Sequence, residues 1–306
     1  MAAKPEIDLE AFAAWLTDHA QRVETTLDEL LPQGDVTPEP LHQAMRWAVL
    51  GGGKRVRAAM VYAAGYACQP QLDGAAQQAL DRAAAAVELV HAYSLIHDDL
   101  PCMDDDTMRR GKPATHVQFG EAMALLAGDA MQPLAFEWLA SMAVSPGLVV
   151  QAVHVLAQAI GSDGMAGGQA IDLLSTGASI DELALAAMHA KKTGALMAAS
   201  LQLGAIVVGA GSAQRNALRL YAEAIGLAFQ VVDDVLDVTA ASDRLGKTAG
   251  KDSAAEKATY VSLMGVDRAR ELADELAQRA QEAAAEFGRP GDRLAAMAQF
   301  VVRREF

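Results

Sequence analysis

The sequence predicts an all-α protein, and three observations predict it. The chain is rich in alanine, supported by leucine, glutamate, glutamine and methionine, and all are strong helix formers. No stretch sustains the period-2 alternation of a half-buried strand. The breaks between periodic segments are short and carry Gly and Pro: "LPQGDVTPEP" (31–40), "CQPQLDG" (68–74), "SPG" (145–147), "GSDGMAGG" (161–168) and "FGRPGDR" (287–293). None resembles a flexible linker and composition shifts nowhere. Residues 1–306 are therefore expected to form one domain, with the first few residues disordered.

Apolar residues make up 52% and charged residues 21% of the chain, as in a globular protein. A net charge of −14 argues against general nucleic-acid binding, which needs basic patches. An acidic protein still binds a polyanion when metal ions sit between the two. Cys68 and Cys102 are far apart and in no CxxC spacing, so a reducing, cytoplasmic setting is expected. The start "MAAKPEIDLE" lacks the apolar region of a secretory signal. Two uncharged stretches approach membrane-span length. Residues 138–162 are split by "SPG", and residues 193–214 are diluted by Gly, Ser and Gln, which reads as a fully buried helix. No membrane span is expected.

Along the segment 73–99, Leu80, Ala84, Val87, His91, Ser94 and Asp98 follow steps of three and four on one helical stripe. The stripe is apolar low down and polar only near the top, so the first aspartates crown a buried helix. They open "HDDLPCMDDDTMRRG" (97–111), a cluster of like charges that needs either bulk water or a cation. Asp98 and Asp104 would fall about 240° apart on a continuous helix. Pro101 bends the chain, which would return Asp104 to the same site.

A second cluster lies in "AFQVVDDVLD" (228–237), where Gln230, Asp233, Asp234 and Asp237 share a stripe at i, i+3, i+4 and i+7. This too is a polar patch ending an apolar helix. Facing each other, two such clusters could chelate several Mg²⁺ ions, which take oxygen ligands and share them with phosphates. The basic residues then find a use. "GGGKRVR" (51–57) supplies Lys54, Arg55 and Arg57 past a glycine turn, Arg109 and Arg110 follow the first cluster, and Lys192, Lys247 and Lys257 lie near breaks. Direct contacts to a diphosphate would employ them. "GGGKRVR" is not a Walker loop, since Arg stands where Ser or Thr should hold magnesium and no strand precedes it. GxSxG, HExxH and GxGxxG are absent from the sequence.

The chain resembles the short-chain trans-isoprenyl diphosphate synthases, most of all bacterial farnesyl diphosphate synthases. The resemblance rests on "GGKRVR", "HAYSLIHDDLPCMDDDTMRRG", "GGQAID" (167–172), "KTG" (192–194), "FQVVDDVLD" and "LGKTAGKD" (245–252), in that order. It implies an orthogonal helical bundle of the isoprenoid synthase type around a deep central cavity. It implies that Asp98, Asp99 and Asp104 hold two Mg²⁺ ions on an allylic diphosphate and that Asp233, with Asp234 and Asp237, holds a third, with Mn²⁺ as a substitute. Arg109, Lys192, Lys247 and Lys257 are then allylic diphosphate contacts. Lys54, Arg57, His91 and Arg110 hold the diphosphate of isopentenyl diphosphate. Lys192, Thr193 and Gln230 become the catalytic group, with Gln169 supporting the wall near the reacting carbons. Asp105 and Asp106 are better read as solvated. Between Lys247 and Lys257 the resemblance implies a flexible lid.

Chain length is set in this family just before the first aspartate motif, where Tyr93 and Ser94 stand. Tyr93 lies about 7.5 Å below Asp98 on an ideal helix. A bulky ring there reads as a floor that halts growth at fifteen carbons, although an ordinary core tyrosine would look the same. The expected activity is therefore farnesyl diphosphate synthesis by a homodimer acting on small diphosphates. The alternatives are a geranylgeranyl diphosphate synthase or a non-catalytic partner subunit, which would be expected to lose one aspartate cluster. A terpene cyclase would not need "GGGKRVR" and His91, and a metal-buffering protein would not need paired arginines.

Overall fold

The computed structural model describes residues 8–176, 180–239 and 259–303. Its elements run α1 (Leu9–Leu30), α2 (Glu39–Val49), α3 (Val56–Cys68), α4 (Gly74–Asp98), a hairpin of β1 (Met108–Arg109) and β2 (Lys112–Pro113), α5 (Thr115–Phe119), α6 (Glu121–Ala140), α7 (Pro146–Ile160), α8 (Met165–Ser175) and α9 (Glu182–His189). A π-helical segment (Ala190–Gly194) leads into α10 (Ala195–Val207) and α11 (Ser212–Thr239). Then follow α12 (Tyr260–Met264), α13 (Val266–Ala285), a 3₁₀ turn (Arg289–Gly291) and α14 (Asp292–Arg303).

The boundaries have local causes. Asp8, Asp73 and Asp181 each accept a backbone N–H of the turn they precede, opening α1, α4 and α9. Pro40 and Pro146 occupy first turns, where a missing N–H costs nothing. The all-α expectation holds, and each of the five sequence breaks separates two helices, although α2, α7, α8 and α14 already begin at Glu39, Pro146, Met165 and Asp292 inside theirs. The hairpin is an addition, pairing Met108 with Pro113 and Arg109 with Lys112. The stretch 193–214 is not a single helix. It divides into the π segment, α10 and the start of α11, because the chain turns at Gly209 with φ +71°. No helix among the described residues is long and apolar enough to cross a membrane. The first few residues, expected to be disordered, lie outside the described part.

Helix α4 packs on α3, α6 and α10, and α11 packs on α13 and α10. One apolar cluster gathers around α4, α6 and α7 and a second around α11, α13 and α14; α3 and α10 contribute to both. These two helices press closely together. A Cβ added at Gly204 would lie 2.2 Å from the Val61 carbonyl oxygen, so only glycine permits the approach. Polar helix ends meet above this packed base.

Candidate active site

Helix α4 ends at Asp98, and the chain turns back at once. Asp104 N donates to Asp98 O (2.8 Å), while Met103 N and Asp105 N both donate to Leu100 O. The bend expected at Pro101 is therefore present, and it folds Asp104 back over the helix end. Burial, with Asp104 and Asp99 as like-charged neighbours, pushes the Asp98 carboxyl up to about 6 against the pull of Lys192 and Arg109. Asp99, 2% exposed, accepts from both Nε and Nη2 of Arg109. Arg109 also reaches Asp106 at 3.4 Å. Asp106 is thus an ion-pair partner and not merely solvated, while Asp105 is exposed.

Below this rim the cations gather. The side chains of Arg57, Arg110, Arg109 and Arg55 all lie within electrostatic reach of His91, and burial together with these arginines holds its imidazole well below 6.5. The charged form of His91 is therefore disfavoured at physiological pH. Arg57 Nε is buried without a hydrogen-bond partner among the described residues, and burial pulls its guanidinium down against Glu88 and Asp233. Arg110 donates to Gly52 O (3.2 Å). Lys54 is exposed, with its ammonium 5.7 Å from the centroid of the Phe300 ring. Arg55 acts on this lobe only through its charge, since its own side chain is tied elsewhere. It is 4% exposed and engaged by Glu24, Glu88 and Val49 O.

The third wall is the π segment. Lys192 Nζ donates to Asp172 Oδ2 (2.5 Å), and Thr193 Oγ1 donates to Gln230 Oε1 (3.4 Å) on α11. A Cβ at Gly168 would lie 2.2 Å from Lys192 N, so α8 rests on the π segment's backbone. Gly168 and Asp172 are one turn apart on α8 and together seat Lys192. Gln169 Oε1 is buried with no hydrogen-bond partner among the described residues. On α11, Asp234 is 2% exposed and uses both oxygens, Oδ1 for Gln230 Nε2 (3.0 Å) and Oδ2 for Tyr260 N (2.7 Å). Asp237 is 6% exposed, and Asp233 faces Arg57 electrostatically.

The structure thus brings Asp98, Asp104, Lys192, Thr193 and Gln230 to one region, and Arg57, His91 and Arg110 to the region beside it. Lys247 and Lys257 lie outside the described residues. Sequence reasoning assigned no role to Asp172, Glu24 or Glu88; Asp172 stands in the quoted "GGQAID", whereas the two glutamates carry no local signal. Among the described residues no three His, Cys, Asp or Glu side chains gather into a metal-holding group. Magnesium typically binds through one or two carboxylates and completes its shell with water and substrate phosphate. The crowded carboxylates at the α4 end, where burial and the neighbouring Asp104 and Asp99 push the Asp98 carboxyl up to about 6, fit a divalent cation. At Asp99 a cation would first have to displace Arg109.

Tyr93, 7% exposed, packs in the core on the edge of the His97 ring, with centroids 5.9 Å apart. Burial and the Asp98 carboxylate push its hydroxyl up to about 12. Ser94 donates to the His91 carbonyl at 2.9 Å. His97 in turn places Nε2 3.1 Å from Leu125 O on α6 and lies directly over Gly128.

The chain is similar to known proteins over most of its length. A family described as polyprenyl synthetase matches residues 38–288. A chloroplastic geranylgeranyl pyrophosphate synthase of Catharanthus roseus is 45% identical over 96% of this chain and 82% of its own length. A protein named as a probable farnesyl diphosphate synthase of Bradyrhizobium diazoefficiens is 47% identical over 93% of this chain and 86% of its own. A Helicobacter pylori geranyltransferase, solved in complex with magnesium and isoprenyl diphosphate, superposes with a TM-score of 0.83 at 29% identity, covering 98% of this chain and 97% of that one.

Proposed function

We propose that this chain, which belongs to the polyprenyl synthetase family, condenses an allylic diphosphate with isopentenyl diphosphate, head to tail, and stops at farnesyl diphosphate. One observation carries the two-substrate reading. His91 and Asp98 share a face of α4, seven residues or about 10 Å apart. The lower position is ringed by arginines and the upper by carboxylates. One helix face thus offers a direct anion site beside a cation-mediated one, as a reaction between two diphosphates requires.

In this reading Asp98 and Asp104 at one rim, and Asp233 at the other, hold magnesium, with three ions in all as the resemblance implies. Bound there with the allylic diphosphate, magnesium supplies Lewis-acid stabilisation of the leaving group. Lys192, steadied by Asp172, adds a fixed positive charge where negative charge grows as the C–O bond breaks. Arg57, Arg110 and Lys54 take the isopentenyl diphosphate by charge, while neutral His91 hydrogen-bonds it. Thr193 and Gln230, bonded to each other, lie along the path between the two substrates. The apolar helix walls exclude water from the allylic cation. After the isopentenyl double bond attacks C1, the proton lost passes to the departed diphosphate, so no side-chain nucleophile is needed. Asp99 and Asp234 act as anchors, the first for Arg109 and the second for Tyr260.

Tyr93 is the support for a fifteen-carbon product, because a buried ring one turn and a half below Asp98 would block a growing chain. The second reading, a geranylgeranyl diphosphate synthase, is favoured by relatives bearing that name. A homodimer would cover the exposed Val117, Leu125 and Leu126 on α5 and α6. The test is a product assay with dimethylallyl diphosphate, labelled isopentenyl diphosphate and Mg²⁺. A dominant fifteen-carbon product that vanishes with EDTA supports the whole reading. A twenty-carbon product keeps the chemistry and removes the floor. No condensation by folded protein refutes the enzyme.

A further inference from the structure

One carboxylate from α1 closes the loop between α2 and α3 at both ends, and the proposed reaction makes no use of it. Glu24 Oε1 accepts from Gly51 N (2.6 Å), and Oε2 accepts from Arg55 Nη2 (2.5 Å) and Nε (3.1 Å). Between these anchors the backbone runs through φ values of +89°, +132° and +105° at Gly51, Gly52 and Gly53, and +49° at Arg55. Such a run has no helical or strand ladder to hold its shape, so side chains must hold it. The opposite side is braced by the hairpin. Arg110 lies against Gly53 and donates to Gly52 O, and Lys112 Nζ donates to Leu50 O (3.0 Å) and to Trp47 O.

We propose that Glu24, which lies outside the span matched by the family, is a positioning residue for the isopentenyl diphosphate pocket. By clasping residues 51 and 55 it fixes the turn that carries Lys54 and leads into Arg57, and it gives Arg110 a rigid surface to rest on. The inference rests on the reading that Lys54, Arg57, His91 and Arg110 receive that diphosphate. The effect is confined to one substrate. The hydrogen bonds of Glu24 run to Gly51 and Arg55 of this loop, and without it Arg55 keeps Glu88 and Val49 O. The core under the loop therefore survives the loss, whereas the loop does not keep its shape.

Glu24→Gln preserves size and one acceptor but removes the charge that holds Arg55; Glu24→Ala also releases Gly51 N. Each variant is assayed for the two KM values separately, for calorimetric binding of isopentenyl diphosphate alone, and for melting temperature, with Glu29→Gln as the control on the same helix. The expected result is a KM and a Kd for isopentenyl diphosphate raised about tenfold in Glu24→Gln and further in Glu24→Ala, an allylic KM within twofold of the parent, and an unchanged control. Equal increases in both KM values with a lowered melting temperature would make Glu24 ordinary scaffold and overturn the proposal. So would unchanged KM values in folded protein. Parent protein that neither binds nor consumes isopentenyl diphosphate overturns the reading of the pocket itself.

Discussion

An alanine at Gly128 would bring its Cβ to 2.1 Å from Nε2, 2.5 Å from Cδ2 and 2.8 Å from Cε1 of His97. The ring cannot stay. His97 precedes the paired aspartates, bonds Leu125 O at 3.1 Å and meets Tyr93 edge-on. Its displacement costs about 1–3 kcal/mol in overpacking and about 1 kcal/mol for the hydrogen bond. Replacing an interior helical glycine by alanine returns up to about 1 kcal/mol. The net loss for Gly128→Ala is then about 1–3 kcal/mol. His97→Ala alone loses the hydrogen bond and the ring contact, about 2 kcal/mol together. In the double variant the clash is gone while the helix gain remains, so its loss is about 1 kcal/mol instead of the 3–5 kcal/mol that addition would give. For a chain of this length ~1 kcal/mol moves the melting temperature by about 1.6 °C. Calorimetric melting of the four proteins should therefore show the double variant at least as stable as either single one. Gly128→Ala should also lose activity tenfold or more, because the aspartate rim moves with His97. A double variant that melts lower by the sum of the single losses would refute the clash and, with it, the docking of α4 on α6 through His97.

Three further outcomes are expected. The Asp98 carboxyl binds its proton more tightly folded than unfolded, so its contribution is complete at low pH and is lost as pH climbs from 3.8 through about 6. Asp98→Asn should therefore stabilise the protein in EDTA at pH 7 by about 2–3 kcal/mol, at ~1.36 kcal/mol per pKa unit, and by almost nothing near pH 4, while abolishing condensation. Urea titrations at the two pH values decide this, and equal stabilisation at both would exclude the carboxyl as its source. Tyr93→Ala should lengthen the product beyond fifteen carbons, as read by chromatography of the hydrolysed products; an unchanged fifteen-carbon product would return Tyr93 to plain core. Gly204→Ala must force α3 and α10 apart, since its Cβ would also lie 3.0 Å from Gly65 N, and should lower the melting temperature by about 5 °C through a loss of about 3 kcal/mol. An unchanged melt would mean that the two helices are not in tight contact.

Much of the site was legible in the chain because its signals are local. The apolar stripe from Leu80 to Asp98 and the polar stripe of Gln230, Asp233, Asp234 and Asp237 are consequences of helical period, and both lie on helices. The bend that returns Asp104 follows from a proline after a helix end. The series of motifs was enough to reveal the family, and the matched span from residue 38 to 288 agrees. The role given to Arg109 was less complete. As a diphosphate contact it is named by resemblance, but its present partners are Asp99 and Asp106, and that pairing depends on how the hairpin folds back.

Composition, period and punctuation thus determined the helical class, the breaks that separate helices and the residue types at the site, because each of these reflects free energies between neighbours in sequence. Partner choice was decided only by tertiary structure. Glu24 and Glu88 reach Arg55 from 31 and 33 residues away, and Asp172 reaches Lys192 from 20. The π segment that carries Lys192 and Thr193 differs from an α-helix by one shift in hydrogen bonding, which side-chain period does not record. These pairings exist because particular helix faces pack at particular distances. A charge in sequence has many possible counterions, and only the packed helices select among them.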